Sequence, residues 1–214
     1  MTERVSRWDT IILDFDGTLV ESVGIKDAAF EELFKSFPSH LDEIMCYHLD
    51  HNATIRFKKF EYIYKHILKL PYTDNIEKVL SKKFSKLVFT KIVKCPYVSG
   101  ALEFLEHYHA SIPLYLVSVS PEKELNRILK DRKIRHYFKD VYSSNWKKAD
   151  AIKDIVQQEQ ALSNKTVFIG DTNEDYLAAQ EAGVIFFGRN SGKQFFDENI
   201  AVFDDFDKIL NYMQ

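Results

Sequence analysis

The stretch IILDFDGTLVES, Ile11 to Ser22, ends an apolar run on two aspartates one residue apart and follows them with Gly17 and Thr18. Ile11, Ile12 and Leu13, with Trp8 just upstream, form a short run that is β-branched at two positions. This predicts a strand buried on both faces, as in the middle of a parallel sheet. Two carboxylates in such a place repel each other and lose hydration, so they need a cation, a proton or strong donors nearby. The alternative is an Asx-type turn in which Asp16 caps local amides and Gly17 supplies the turn conformation. The rest of the chain decides between the two.

With 214 residues the chain has room for one domain plus an insertion, or for two small domains. A content of 45% hydrophobic and 29% charged residues is that of a soluble globular protein. The formal net charge of -3 argues against a general nucleic-acid binder, which carries a basic excess. No apolar stretch is long enough to span a bilayer, and MTERVSRWDT lacks the apolar core of a signal peptide, so a cytoplasmic protein without a membrane partner is expected. Cys46 and Cys95 stand in no metal or redox spacing and read as free thiols. The 17 Phe and 11 Tyr predict a core filled with rings.

The texture of the chain changes twice. From about Ser22 to about Lys94 nearly everything reads as helix: Ile25 to Phe37, His40 to Leu49, Ile55 to Leu70 and Asp74 to Lys94, broken by Pro38, the DHNAT segment and Pro71. After CPYVSG helices and strands alternate, with strands in IPLYLVSVS, DVYSS, TVFIGD and VIFFG. Such alternation implies parallel βαβ units with right-handed crossovers. An α/β domain therefore opens with the first strand, is interrupted by a helical insert, and resumes.

In open parallel sheets ligands sit beyond the carboxyl ends of the strands. Those ends deliver Asp14 and Asp16, then Ser118 and Ser120, then Asp171, while Lys147 and Lys148 open the helix after VYSSNW. Carboxylates from two strands suit a hard cation such as magnesium, and a hydroxyl with a lysine suits an anion, so the set has the chemistry of a phosphate-handling centre.

DFDGTLVES, the strand ending in Ser118, Lys148 in KKADAI, and IGDTNEDYLAAQEAG occur in this order. Together they resemble the four motifs of the haloacid dehalogenase superfamily, and the helical insert falls where that superfamily places its all-helical cap of the first type. The resemblance implies an α/β fold with a Rossmann-like parallel sheet core, residues 1–20 and 96–214, and an inserted all-helical cap domain, residues 21–95. It implies a phosphatase-like hydrolase using Mg2+ and acting on a small phosphorylated substrate, a sugar phosphate or a phosphoglycolate-like metabolite.

Carried over residue by residue, Asp14 matches the nucleophile that forms an aspartyl-phosphate, and Asp16 the general acid/base whose carbonyl also binds the metal. Ser118 matches the hydroxyl that donates to the phosphoryl oxygens. Ser120 competes for that role, although Ser120-Pro121 reads as an N-cap followed by proline at the first helical position. Lys148 matches the cation that offsets charge between Asp14 and the phosphoryl group, with Lys147 adjacent. Asp171 matches the acidic metal ligand. Asp175 matches a second acid that orders a metal-bound water or holds Lys148. Thr18 and Val119 are candidate substrate contacts. A phosphomutase shares both aspartates and a helical cap, and a binding module that has lost turnover is the rival from another class.

Other signals carry less. GRNSGKQ, Gly188 to Gln194, is one residue short of a phosphate-binding loop and has Gln where Ser or Thr belongs, so it reads as a solvated loop. The seven histidines form no metal set; His48 and His51 read as exposed polar residues near a turn. Phe57, Phe60 and Tyr64 form an apolar stripe expected in the cap core. Beside that stripe Arg56 and Lys59 share a helical face, whereas Lys58, Lys65 and Lys69 fall with Tyr62 on a solvated one. Arg56 and Lys59 are candidate contacts for an anionic or polyhydroxyl leaving group, with solubilising charge as the plain alternative.

Overall fold

In the computed structural model, which describes residues 7–51, 54–195 and 197–214, the elements in chain order are β1 (Thr10–Leu13), α1 (Val23–Phe34), α2 (Leu41–Asp50), α3 (Arg56–Tyr62), α4 (Asp74–Lys94), α5 (Ala101–Tyr108), β2 (Leu114–Val117), α6 (Glu122–Asp131), β3 (Asp140–Tyr142), α7 (Lys148–Glu159), β4 (Thr166–Gly170), α8 (Asn173–Ala182), β5 (Ile185–Arg189), β6 (Ala201–Phe203) and α9 (Phe206–Met213). Most of the amino-terminal stretch read for a signal, and Asn52 and Ala53 of the DHNAT break, lie outside the described residues. The chain divides into two compact units, Met1–Glu21 with Pro96–Gln214, and Ser22–Cys95.

The first unit is built on a six-stranded sheet in the order β3-β2-β1-β4-β5-β6, parallel throughout. β1 is central: Ile11 pairs with Leu114 on one side and with Val167 on the other, and all four of its residues are fully buried. Alternating side chains then give the sheet two apolar faces. Ile12, Tyr115, Val117 and Phe168 meet Ala151, Ile152 and Ile155 of α7 and Ala179 of α8. On the opposite face Trp8 and Phe187 pack edge to face at 5.7 Å, Phe187 meets Tyr212 of α9 at 5.4 Å, and Phe104 of α5 meets Phe206 of α9 at 4.9 Å.

β6 and α9 were not expected from the sequence. β6 is a three-residue edge strand that is only partly buried, too short for a periodic signal, while α9 starts at an Asp205 cap whose carboxylate accepts from the Lys208 amide at 2.9 Å. At the end of β2 the structure corrects one expectation. α6 begins at Glu122 with Pro121 at the N-cap in extended geometry, so Ser120 does not cap it.

Among the described residues the second unit has four α-helices, α1 to α4, around a ring cluster in which Phe30 meets Phe60 at 5.6 Å and Phe84 at 5.1 Å. α1 ends three residues short of Phe37, because Pro38 disfavours helical geometry before it and starts a short tight turn instead. The single helix expected over 55–70 is α3 followed by a wider π turn, Ile63–Ile67, closed by the Leu68 amide on the Ile63 carbonyl at 2.8 Å.

Candidate active site

β1 stops at Leu13, and the Asp14 amide still bonds the Ile169 carbonyl of β4 at 2.9 Å, so the first aspartate is fixed at the carboxyl edge of the sheet. The chain then turns. Gly17 sits at φ 78°, the left-handed region a side chain resists, and its amide bonds the Val20 carbonyl at 2.9 Å. Gly17 supplies the conformation an Asx-type turn needs, yet both aspartates have partners beyond local amides.

Lys148, the first residue of α7, donates to Asp14 Oδ1 at 3.0 Å and to Asp175 Oδ1. Asp175 is fully buried at the start of α8; its second oxygen accepts from the Thr172 amide at 3.1 Å and the Thr172 hydroxyl at 2.6 Å, a reciprocal capping box. Gly170 makes room for it, since a Cβ there would lie 2.6 Å from the Asp175 Cβ. Lys147 is the N-cap residue of α7 and is exposed, so of the two adjacent lysines the structure brings Lys148 to Asp14.

Asp171 directly follows β4 and is 1% exposed; its Oδ1 has no hydrogen-bond partner among the described residues, and its Oδ2 meets Lys193 Nζ at 3.3 Å. Asp16 is half-buried, and its Oδ2 accepts from the Ser120 hydroxyl at 3.2 Å. Ser118 is buried immediately after β2, with its amide on the Tyr142 carbonyl at 2.9 Å and its hydroxyl oxygen accepting from the Ser120 amide at 3.2 Å. Val119 between them is half-buried, and Thr18 is buried with its hydroxyl unpartnered among the described residues.

The electrostatics follow from burial. Burial pushes the Asp14 carboxyl up to about 7, against the pull of Lys148, and the nearby carboxylates of Asp175, Asp171 and Asp16 add to the rise. Asp171 is raised by burial too, with Lys193 working against it. For Lys148 burial favours the neutral amine, but Asp14 and Asp175 outweigh it and hold the ammonium above the ordinary lysine range. The site therefore keeps its lysine charged while its clustered carboxylates call for further positive charge.

A divalent cation fits that demand. Oxygens of Asp14, Asp171 and Asp175 lie within 4.8 Å of one another, and the buried Oδ1 of Asp171 is an unused hard donor. Asp175 has its oxygens committed to Lys148 and Thr172, which leaves Asp14 and Asp171 as the carboxylates able to hold an ion.

GRNSGKQ is not the solvated loop expected. Arg189, the last residue of β5, is buried; it donates to the Gly17 carbonyl at 3.0 Å and pairs with Glu21, bracing the turn that carries Asp16 and Thr18. Lys193 reaches Asp171 because a buried carboxylate draws the nearest cation. Both belong to the carboxyl edge beyond β5, and an inventory of cations beyond every strand end, not only of acids and hydroxyls, finds them in the sequence.

The remaining candidates lie in the helical unit. Arg56 is buried and donates to the hydroxyls of Ser81 at 3.2 Å and Ser85 at 3.0 Å. Lys59, 2% exposed, bonds the His48 carbonyl and ring Nδ1, each at 3.2 Å. Neither is a solubilising surface charge, whereas Lys58, Lys65 and Lys69 are exposed with Tyr62. His48 is likewise no exposed polar residue: it is buried, stacked on Phe30 with ring centroids 3.8 Å apart.

A parallel sheet that gathers at its carboxyl edge a buried aspartate, a lysine bound to it and a second acidic pair has the layout of an α/β enzyme core. The chain belongs to the haloacid dehalogenase-like hydrolases, whose family model matches residues 11–188. It is 23% identical over 209 residues to a phosphoglycolate phosphatase of Pseudomonas fluorescens, covering 91% of this chain and 75% of that protein. It is 32% identical over 101 residues to a phosphoglycolate phosphatase of Vibrio cholerae, covering 45% of each. A Haemophilus somnus crystal structure described as a predicted phosphoglycolate phosphatase superposes with a TM-score of 0.76 over 98% of this chain and 100% of that one, a likeness of fold at 20% identity. No helix among the described residues is long and apolar enough to cross a membrane.

Proposed function

We propose that the chain is a magnesium-dependent phosphatase that hydrolyses a small phosphorylated metabolite through an aspartyl-phosphate on Asp14. The observation that carries this reading is the placement of Asp14 at the end of the central strand, held by Lys148 at 3.0 Å near Asp171, whose Oδ1 has no hydrogen-bond partner among the described residues. Asp14 attacks phosphorus, and the bond to the leaving oxygen breaks as Asp16 gives it a proton. Asp16 then takes a proton from the water that hydrolyses the acyl phosphate. The Ser120 hydroxyl aims the Asp16 carboxyl, Ser118 donates to the phosphoryl oxygens, and Lys148 offsets their charge. Asp14, the Asp16 carbonyl and Asp171 would hold magnesium, which when bound offsets the charge of the phosphoryl group and of the gathered carboxylates.

The names of the relatives make 2-phosphoglycolate the first substrate to try. The test is phosphate release from a panel of phosphomonoesters, 2-phosphoglycolate and sugar phosphates included, with magnesium and with the Asp14→Asn variant as the blank. Release by the wild type alone is expected. Failure to release phosphate from any member, or equal release by the variant, would overturn the reading.

A further inference from the structure

Asp171 is bound by a cation of a different kind from the one on Asp14. Lys148 is rooted at the start of a helix, almost wholly buried, and shared between two carboxylates. Lys193 stands on the loop after β5 with 27% of its side chain exposed, and among the described residues the carboxylate it meets is Asp171. The loop is pinned on both sides of it: the Asn190 amide bonds the Phe203 carbonyl at 2.8 Å, and the Asn173 side-chain amide bonds the Gln194 carbonyl at 3.1 Å. Between these anchors Gly192 adopts φ 89°, which turns the chain back toward the sheet edge. The backbone is thus held in place while the ammonium keeps a path to water along a flexible four-carbon stem.

We propose that Lys193 is a tethered cation that competes with the divalent ion for Asp171, the carboxylate it contacts from the solvent side. With no ion bound, the ammonium neutralises a carboxylate that burial would otherwise leave uncompensated. As an ion takes Asp171, the ammonium is repelled and swings out toward solvent, to which part of its side chain is already exposed. Affinity for the ion is then set by a difference, weaker than the acidic cluster alone would give, and the ion-free protein is spared an unpaired buried charge. The proposal rests on the metal site assigned above.

The test is calorimetric titration of magnesium chloride into metal-stripped wild type, Lys193→Met, Lys193→Gln and Lys193→Arg, at one fixed ionic strength. Removing the competing charge should tighten magnesium binding by about tenfold in the Met and Gln variants, a change of about 1.4 kcal/mol, while Arg stays within about twofold of wild type. Thermal unfolding supplies the second readout: magnesium should raise the melting temperature of the Met and Gln variants more than that of wild type. Unchanged or weaker binding in both neutral variants, with wild type binding magnesium, overturns this proposal alone. No magnesium binding by wild type overturns the metal site and this proposal with it.

Discussion

The buried carboxylate of Asp175 holds the ammonium of Lys148 and so fixes where that ammonium meets Asp14. Asp175 is itself fixed by Thr172, so the order runs from a helix cap to an acid to a lysine to the proposed nucleophile. Replacing Lys148 by Met leaves Asp175 buried without its cation. Breaking a buried pair by removing one partner costs about 3–5 kcal/mol, and loss of a charge-stabilising donor lowers kcat by about 10²- to 10³-fold. Urea unfolding and steady-state kinetics on the same preparation check both halves.

Gly170→Ala attacks the same chain of contacts from outside the site. The new methyl group would fall 2.6 to 2.9 Å from three atoms of Asp175, so that side chain must move and Lys148 with it. Overpacking of this kind destabilises by about 1–3 kcal/mol. Activity should fall along with stability. Gly24→Ala is the control: nothing lies within 4 Å of its added carbon, and removing a glycine from a helix should stabilise by about 0.4–1 kcal/mol.

Much of this was legible in the sequence because burial and charge conflict there openly. An apolar run that ends on Asp14 and Asp16, or on Asp171, has few other meanings, and the alternation of strands and helices orders those ends along one edge. A serine before a proline has the pattern of a cap, but the hydroxyl of Ser120 goes to Asp16, 104 residues away and invisible to local reasoning. The loop of Lys193 fails as a phosphate-binding motif, and what places Lys193 is a carboxylate just past the end of the neighbouring strand. Arg56 and Lys59 share a helical face beside the apolar stripe, and both are buried. Pattern shows which face a side chain occupies, and the partners Ser81, Ser85 and His48 come only from how the helices pack.

Asp14→Asn should leave the fold intact and reduce turnover to background, because an amide attacks phosphorus poorly and cannot form the acyl phosphate. Circular dichroism checks the fold and phosphate release the turnover. More than a small residual rate would remove Asp14 from the nucleophile's role.

Activity should vanish in chelator, return with magnesium, and fall when calcium is added to the magnesium enzyme. In the proposed site Asp14, the Asp16 carbonyl and Asp171 would supply few protein oxygens, which suits an ion that keeps several waters in an octahedron; calcium takes a larger and looser shell. Full activity after exhaustive chelation would exclude the metal from the reaction.

The helical unit carries its own pH dependence, centred on His48. Its Nε2 lies 2.9 Å from Asp27 Oδ1, and Lys59 donates to its Nδ1, so the neutral ring that gives Nε2–H to Asp27 satisfies every contact. Burial holds the His48 pKa below the usual 6.5; the hydrogen bond to Asp27 opposes that shift, and Lys59 and Lys26 reinforce it. The unfolded chain therefore takes up the proton first as pH falls. The stability this residue contributes is whole above about pH 6.5 and is lost progressively below it. Urea unfolding at pH 7.5 and pH 5.5 should show a larger loss for wild type than for His48→Gln, which has nothing to titrate there. Lys59→Met should lower stability at pH 7.5 by about 1–3 kcal/mol, since it strips a donor from two buried acceptors. It should also shrink the loss between the two pH values, because the cation that opposes His48 protonation is gone. Equal losses in all three proteins would place the pH dependence elsewhere.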